Sequence, residues 1–245
     1  MVHAGWITPQ WSAPANVRAL VTTRQGGVSE GAWASMNLGL HVGDRPEAVR
    51  CNRARLRDCL PAEPAWLEQV HGTRVVDAES VHAPISADAS VARRAGTVCA
   101  VMTADCLPVL LCDTAGSVVA AAHAGWRGLA AGVLEATVAH MQVAPATVIA
   151  WLGPAIGPQA FEVGEEVRST FVAADAAAAR AFLPAGGQGK WLADLYVLAR
   201  QRLARVGVSR VHGGQWCTHA DPARFYSYRR DRVTGRFASL VWRSD

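Results

Sequence analysis

A chain of 245 residues with 51% hydrophobic and 18% charged side chains lies well outside the disordered regime and can bury a sizeable core. Its formal charge of +4 is mildly basic, and Arg93–Arg94 and Arg229–Arg230 are only doublets, so no nucleic-acid-binding arm is present. No charge-free apolar run of about 18 residues occurs, and MVHAGWITPQW lacks the parts of a secretory signal, so neither a membrane partner nor export is expected. Six cysteines without a signal read as reduced thiols of a cytoplasmic protein.

VRALVTT (17–23) reads as a strand that runs into the Gly-, Ser- and Asn-rich loop RQGGVSEGAWASMNLGLHVGD. PEAVRCNRARLRDCL (46–60) has helical spacing, with Val49, Leu56 and Leu60 on one side. AWLEQVHGTRVVDAE (65–79) reads as two short strands broken at His71-Gly72, and ISADASVARRAG as a connection. TVCAVMT (97–103), LPVLLCD (107–113) and SVVAAAHA (117–124) read as strands, the last two joined by the tight turn DTAG. WRGLAAGVLEATVAHMQ (126–142) has the length and spacing of one helix; TVIAWLG (147–153) returns as a strand and VGEEVRSTFV (163–172) is helical. After ADAAAARAF and the loop LPAGGQGK, DLYVLARQRLARVG (194–207) predicts an amphipathic helix with Asp194 as N-cap and Gly207 as C-cap. The end, from VSRVHGG to FYSYRRDRVTGRFASLVW, reads as strands around a hairpin turn at Val233–Gly235. Strands and helices interleave without a βαβ rhythm, so a mixed sheet in one α/β (α+β) domain spanning 1–245 is expected.

Several motifs fail on context. Gly27-Val28-Ser29-Glu30-Gly31 matches a nucleophile elbow, but the strand does not run directly into the serine and no helix leaves it. There is no P-loop, no H-E-x-x-H, no G-x-G-x-x-G, and no paired H-x-E and P-C-x-x-C of the zinc deaminases.

Cys106 precedes LPVLLC and His123 closes SVVAAAHA. The DTAG turn makes these strands antiparallel neighbours, so the start of one lies beside the end of the other and the two side chains meet. His71, at another strand break, is a third candidate. Three N/S ligands with an open position are the usual holder of a catalytic zinc, while Cys106 and His123 alone would make a nucleophilic dyad. Cys99 and Cys112 read as small buried hydrophobes, and His3, His82 and His140 as loop histidines. In HAGWRG, Arg127 and Gly128 begin a helix whose free N–H groups, with the guanidinium, would hold a phosphate or carboxylate.

TRQGGVS (23–29), SMNLGLHVGD (35–44), NR (52–53), QVHG (69–72), TADCLPVLL (103–111), AAHAGWRG (121–128), GPAIGP with FEVGEEV (153–167), FYSYRRD and TGRFASLVW (225–242) together resemble the YfiH-like family. Older naming calls its members polyphenol oxidase or laccase-domain proteins. The resemblance implies a four-layer αββα fold with mixed sheets and a metal site at the positions of His71, Cys106 and His123. It further implies phosphorolysis of adenosine, inosine, guanosine and methylthioadenosine, with adenosine deamination as a second activity. Zn²⁺ is the expected metal; copper is less suited, since a multicopper oxidase needs several centres and only one three-ligand cluster can be assembled. The expected partners are purine nucleosides and phosphate, in a monomer or small homo-oligomer. The chain departs from the family at Ala220, where members carry a further cysteine after the Cys217-Thr218 pair, which leaves Cys217 without an expected redox partner.

Arg127, helped by Arg53 or Arg229, is the expected phosphate holder, and Asn37, Gln69 and Ser227 the polar groups for ribose or base. Three rivals share these residues: a Cys106–His123 amidohydrolase editing peptidoglycan precursors, a copper-dependent polyphenol oxidase, and a binding module with a structural metal.

Overall fold

The computed structural model describes residues 3–245; the first two residues of the stretch read for a signal lie outside it. In chain order the first half holds β1 (Val17–Val21), α1 (Pro46–Arg57), β2 (Leu67–Glu68), β3 (Val75–Asp77), β4 (Ile85–Ser86), β5 (Ala89–Ala92) and β6 (Val98–Thr103). Then follow β7 (Leu107–Asp113), β8 (Val119–Ala124), α2 (Trp126–Ala131), α3 (Val133–Met141), β9 (Val148–Leu152), β10 (Glu162–Gly164) and α4 (Glu165–Ala174). The last part comprises β11 (Phe182–Pro184), β12 (Lys190–Ala193), α5 (Leu195–Arg205), β13 (Arg210–Gly213), α6 (Tyr228–Asp231) and β14 (Phe237–Arg243).

The larger sheet runs β13-β9-β7-β8-β5-β3 and is mixed: its two edge pairs are parallel and its central pairs antiparallel. The sheet β1-β14-β6 is antiparallel throughout. Side chains along a strand alternate between faces. β7 therefore sends Leu107, Val109 and Leu111 toward Leu129 and Leu134 of the helices, and Leu110 and Cys112 toward Val101 and Val241 of the second sheet. β6 turns Cys99 and Val101 toward that same inter-sheet layer, and Val98, Ala100 and Met102 toward Leu56 of α1. Three apolar layers thus separate four structural ones, helix, sheet, sheet and helix. Among the described residues no helix is long and apolar enough to cross a membrane.

Three segments differ from the sequence reading. The helix expected over 126–142 is broken at Gly132, whose φ of 102° ends α2 and begins α3. ISADASVARRAG contains β4 and β5; all four residues of β5 are buried, so the strand shows no alternation. FYSYRRD is not a strand: Ser227 accepts the Arg230 N–H and starts the single turn α6, and β13 and β14 lie in different sheets, so no hairpin joins them. His140 belongs to the last turn of α3 rather than to a loop. The Asp194 cap is as expected, its carboxylate accepting the Tyr196 and Val197 N–H groups at 2.8 and 3.0 Å, with Gly207 following α5 at φ 88°.

Candidate metal centre

β7 and β8 pair with Leu107 opposite Ala124 and Pro108 opposite His123, which sets Cys106 beside His123. His71 arrives from the β2–β3 loop, and one carboxylate ties it in place. Asp88, fully buried just before β5, accepts the N–H groups of Val70, His71 and Gly72 at 3.2, 2.9 and 2.7 Å. These bonds hold His71 at φ 60°, a conformation disfavoured for a residue with a Cβ. Oδ1 of the same Asp88 lies 2.8 Å from His123 Nδ1. With Nδ1–H donating to the carboxylate, Nε2 keeps its lone pair for the site.

The ligand atoms of His71, Cys106 and His123 all lie within 4.8 Å of one another, and His71 Nε2 is 3.7 Å from Cys106 Sγ. Tetrahedral zinc with its usual bond lengths would separate a sulfur and a nitrogen donor by about 3.6 Å, so the spacing fits. The donor chemistry fits as well. Burial alone would push the Cys106 thiol up, but His123 and then His71 outweigh it and bring the pKa down to about 6. Burial would likewise lower His123, yet Cys106 and Asp88 raise it to about 9, so the metal-free pair is thiolate and imidazolium and a metal would displace the Nε2 proton. A thiolate and two imidazoles suit a soft or borderline metal and not magnesium or calcium.

The glycines of HAGWRG have a steric role here. A Cβ on Gly125 would lie 2.9 Å from Cys106 Sγ and 2.9 Å from His71 Cδ2, and one on Gly128 would lie 2.9 Å from the Gly72 carbonyl oxygen. Only glycine lets the segment after β8 approach the QVHG loop this closely. On the other side, Asp105 immediately precedes Cys106 at φ 92° and is tied down by the Thr218 hydroxyl at 2.6 Å and the Arg229 N–H at 2.7 Å.

The centre opens into a cavity of about 630 Å³ lined in part by Gln69, Met102, Trp126, Arg127, Tyr228, His41 and Arg236. Of the residues expected to bind substrate, Gln69 and Arg127 line it. The Gln69 amide is engaged, its Nε2 donating to the Met102 carbonyl and its Oε1 accepting the Met102 N–H, both at 2.8 Å. Arg127 is exposed, with its guanidinium 4.6 Å from the Trp126 ring centroid. The anion pocket at the helix start is reduced to this side chain, because α2 has only 6 residues and little dipole.

The other four do not line the cavity. Asn37 is buried and bonds Gly39, Asp44 and the Arg236 N–H. Arg53 stacks on Trp66 and donates to the Leu38 carbonyl beside a separate hollow of about 670 Å³. Ser227 caps α6, and Arg229 reaches the Glu162 carbonyl. Cys217 accepts the Gly157 N–H at 3.2 Å and is not part of the His71, Cys106 and His123 group, and Ala220 is exposed. Sequence reasoning missed Asp88, Asp105, His41, Tyr228 and Arg236; the one local signal was a lone acid between Ala87 and Ala89 ahead of the apolar Val91-Ala92.

A helix–sheet–sheet–helix chain with a His-Cys-His group that could hold a metal ion, opening into a cavity, defines an α/β protein with a candidate metal centre. Residues 18–244 match the family described as multi-copper polyphenol oxidoreductase laccase, and the chain belongs to that family. It is 59% identical over 240 residues, covering 98% of this chain and 99% of the other, to a Pseudomonas aeruginosa protein named purine nucleoside phosphorylase. It is 56% identical over 239 residues, covering 96% of this chain and 98% of the other, to the Escherichia coli purine nucleoside phosphorylase YfiH. The crystal structure of Neisseria meningitidis protein NMB0706 matches with a TM-score of 0.95 at 55% identity, covering 98% of this chain and 100% of that one.

Proposed function

We propose that this chain is a zinc-dependent purine nucleoside phosphorylase of the cytoplasm. It takes adenosine, inosine, guanosine or methylthioadenosine with phosphate to the free base and the pentose 1-phosphate, and deaminates adenosine as a second activity. The observation that carries this reading is the three-donor centre opening into a cavity with both apolar and cationic walls. The names of the relatives at 59% and 56% identity support it.

In the reaction an oxygen of hydrogen phosphate bonds C1′ of the sugar while the C1′–N9 bond breaks. The electron pair goes to the purine, which takes up the proton that the phosphate carried. The chain must therefore hold an anion, give the base an apolar wall and keep water out. Met102 and Trp126 offer that wall, and the cavity has the size usual for a small-molecule site. His71, Cys106 and His123 would hold zinc, which when bound supplies a Lewis acid with an open position. Asp88 orients His123, and Asp105 fixes the backbone that presents Cys106.

The line Asp88–His123–Cys106 also has the order of a thiol hydrolase triad, so a Cys–His amidohydrolase is the second reading. Chelation separates the two, because a triad enzyme would keep its activity without metal. The test pairs elemental analysis with an inosine-plus-phosphate assay on Cys106→Ala, His71→Ala and His123→Ala. All three variants should lose zinc and hypoxanthine release while staying folded; phosphate-dependent release retained in all three overturns the proposal.

A further inference from the structure

The wall of the cavity facing the centre carries a cation that nothing in the protein neutralises by contact. Arg236, the residue before β14, uses Nη1 on the carbonyls of Thr234 and Gly235 at 3.1 and 3.0 Å. Among the described residues its Nε and Nη2 have no protein acceptor, and it forms no salt bridge. Burial lowers the Arg236 pKa, and the nearby groups that favour its charge, Cys106 and Asp105 foremost, make no contact with it. His41 lines the same cavity, and its pKa is lowered first by burial and then by Arg236 and Arg53. That second cause reports a positive potential at the spot.

The placement is built rather than incidental. Asn37 Oδ1 accepts the backbone N–H groups of both Gly39 and Arg236 at 2.9 Å, and its amide nitrogen donates to Asp44 at 2.9 Å. One buried amide thus joins the loop that carries His41 to the segment that carries Arg236. Gly39 lets the two pack closely, since a Cβ there would meet Arg236 Cγ at 3.0 Å. A guanidinium fixed through Nη1 by the Thr234 and Gly235 carbonyls, with its Nε/Nη2 edge free, is pre-organised for a planar or tetrahedral oxyanion. Arg127, by contrast, is exposed and stacked on Trp126.

We propose that Arg236, with His41 beside it, is the pole of the cavity that holds inorganic phosphate, and that Arg127 is accessory. This rests on the reading of the chain as a phosphorylase and names the residue that recognises the second substrate. Losing a charge-assisted pair should weaken phosphate by at least about tenfold.

The experiment measures inorganic phosphate binding to the zinc-loaded protein by calorimetry, without nucleoside, alongside KM for phosphate and for inosine. Arg236→Gln should raise both the phosphate Kd and the phosphate KM at least tenfold, with the inosine KM within twofold and zinc content unchanged. Arg127→Gln should move the phosphate values less. Arg236→Lys keeps the stem and the charge, and supplies the comparison if the Gln variant does not fold; its phosphate affinity should fall by a smaller factor. A phosphate Kd that ignores both Arg236 substitutions, or equal losses for phosphate and inosine, overturns the assignment. If wild-type protein binds phosphate through Arg236 but turns over no nucleoside, the reading of the reaction falls and the subsite stands. If turnover is intact and phosphate binding ignores Arg236, the subsite falls alone.

Discussion

Asp88 and His123 are held together by a 2.8 Å contact between Oδ1 and Nδ1, with the carboxylate fully buried and the imidazole nearly so. The same carboxylate collects the N–H groups of residues 70 to 72, so one side chain orients two of the three donors. Replacing it by Asn keeps the shape but removes the charge that fixes the tautomer. Asp88→Asn should weaken zinc binding by about 10–100-fold, as read by competition with a chromophoric chelator, while the melting temperature falls only modestly. Unchanged zinc affinity would remove Asp88 from the account of the centre.

Gly125 gives a steric prediction. A methyl group there must displace Cys106 Sγ or His71, both 2.9 Å from the Cβ position. Gly125→Ala should therefore lose metal and turnover together, and near-native circular dichroism should accompany the loss. Wild-type zinc content in that variant would show that the loop can shift without cost to the centre.

The thiols should differ sharply in reactivity. Cys106 has its pKa near 6 in the metal-free protein, whereas burial pushes Cys99 and Cys112 up to about 12. At neutral pH an alkylating reagent should label Cys106 and leave Cys99 and Cys112 untouched, as mapped by mass spectrometry. Added zinc should protect Cys106. Labelling of Cys106 that zinc does not slow would contradict its place as a ligand.

Asp113 at the end of β7 carries a pH prediction. Burial would raise its pKa, but the Ser117 hydroxyl and the N–H groups of Val118 and Ser117 lower it on balance. A carboxyl with a depressed folded pKa contributes stability in full above its unfolded value near 3.9, and loses it as pH falls through the folded value. Asp113→Ala should cost about 1–3 kcal/mol at pH 7 in denaturant unfolding. The gap between wild type and variant should narrow below about pH 4. A gap that stays constant into acid would assign the effect to packing alone.

The meeting of Cys106 with His123 was legible because a four-residue turn between two apolar runs leaves one antiparallel arrangement. The Asp194 cap was legible for a similar reason: it acts on N–H groups two and three residues away. β5 was not, since its neighbours cover both faces and erase the alternation that marks a half-exposed strand. Nor were the duties of Asn37, Gln69 and Ser227, because a loop amide or hydroxyl looks the same in sequence whether it faces a ligand or satisfies backbone.

By itself the sequence determined the central hairpin, most of the main helices and, through shared motifs, the three candidate donor positions. Only the tertiary structure decided what supports them: Asp88 reaches across 35 positions to His123, and Asn37 across 199 to Arg236. Periodicity and turns record interactions between near neighbours in the chain. A buried carboxylate or amide takes whichever donors the packed layers bring to it, and those partners are chosen by burial in three dimensions.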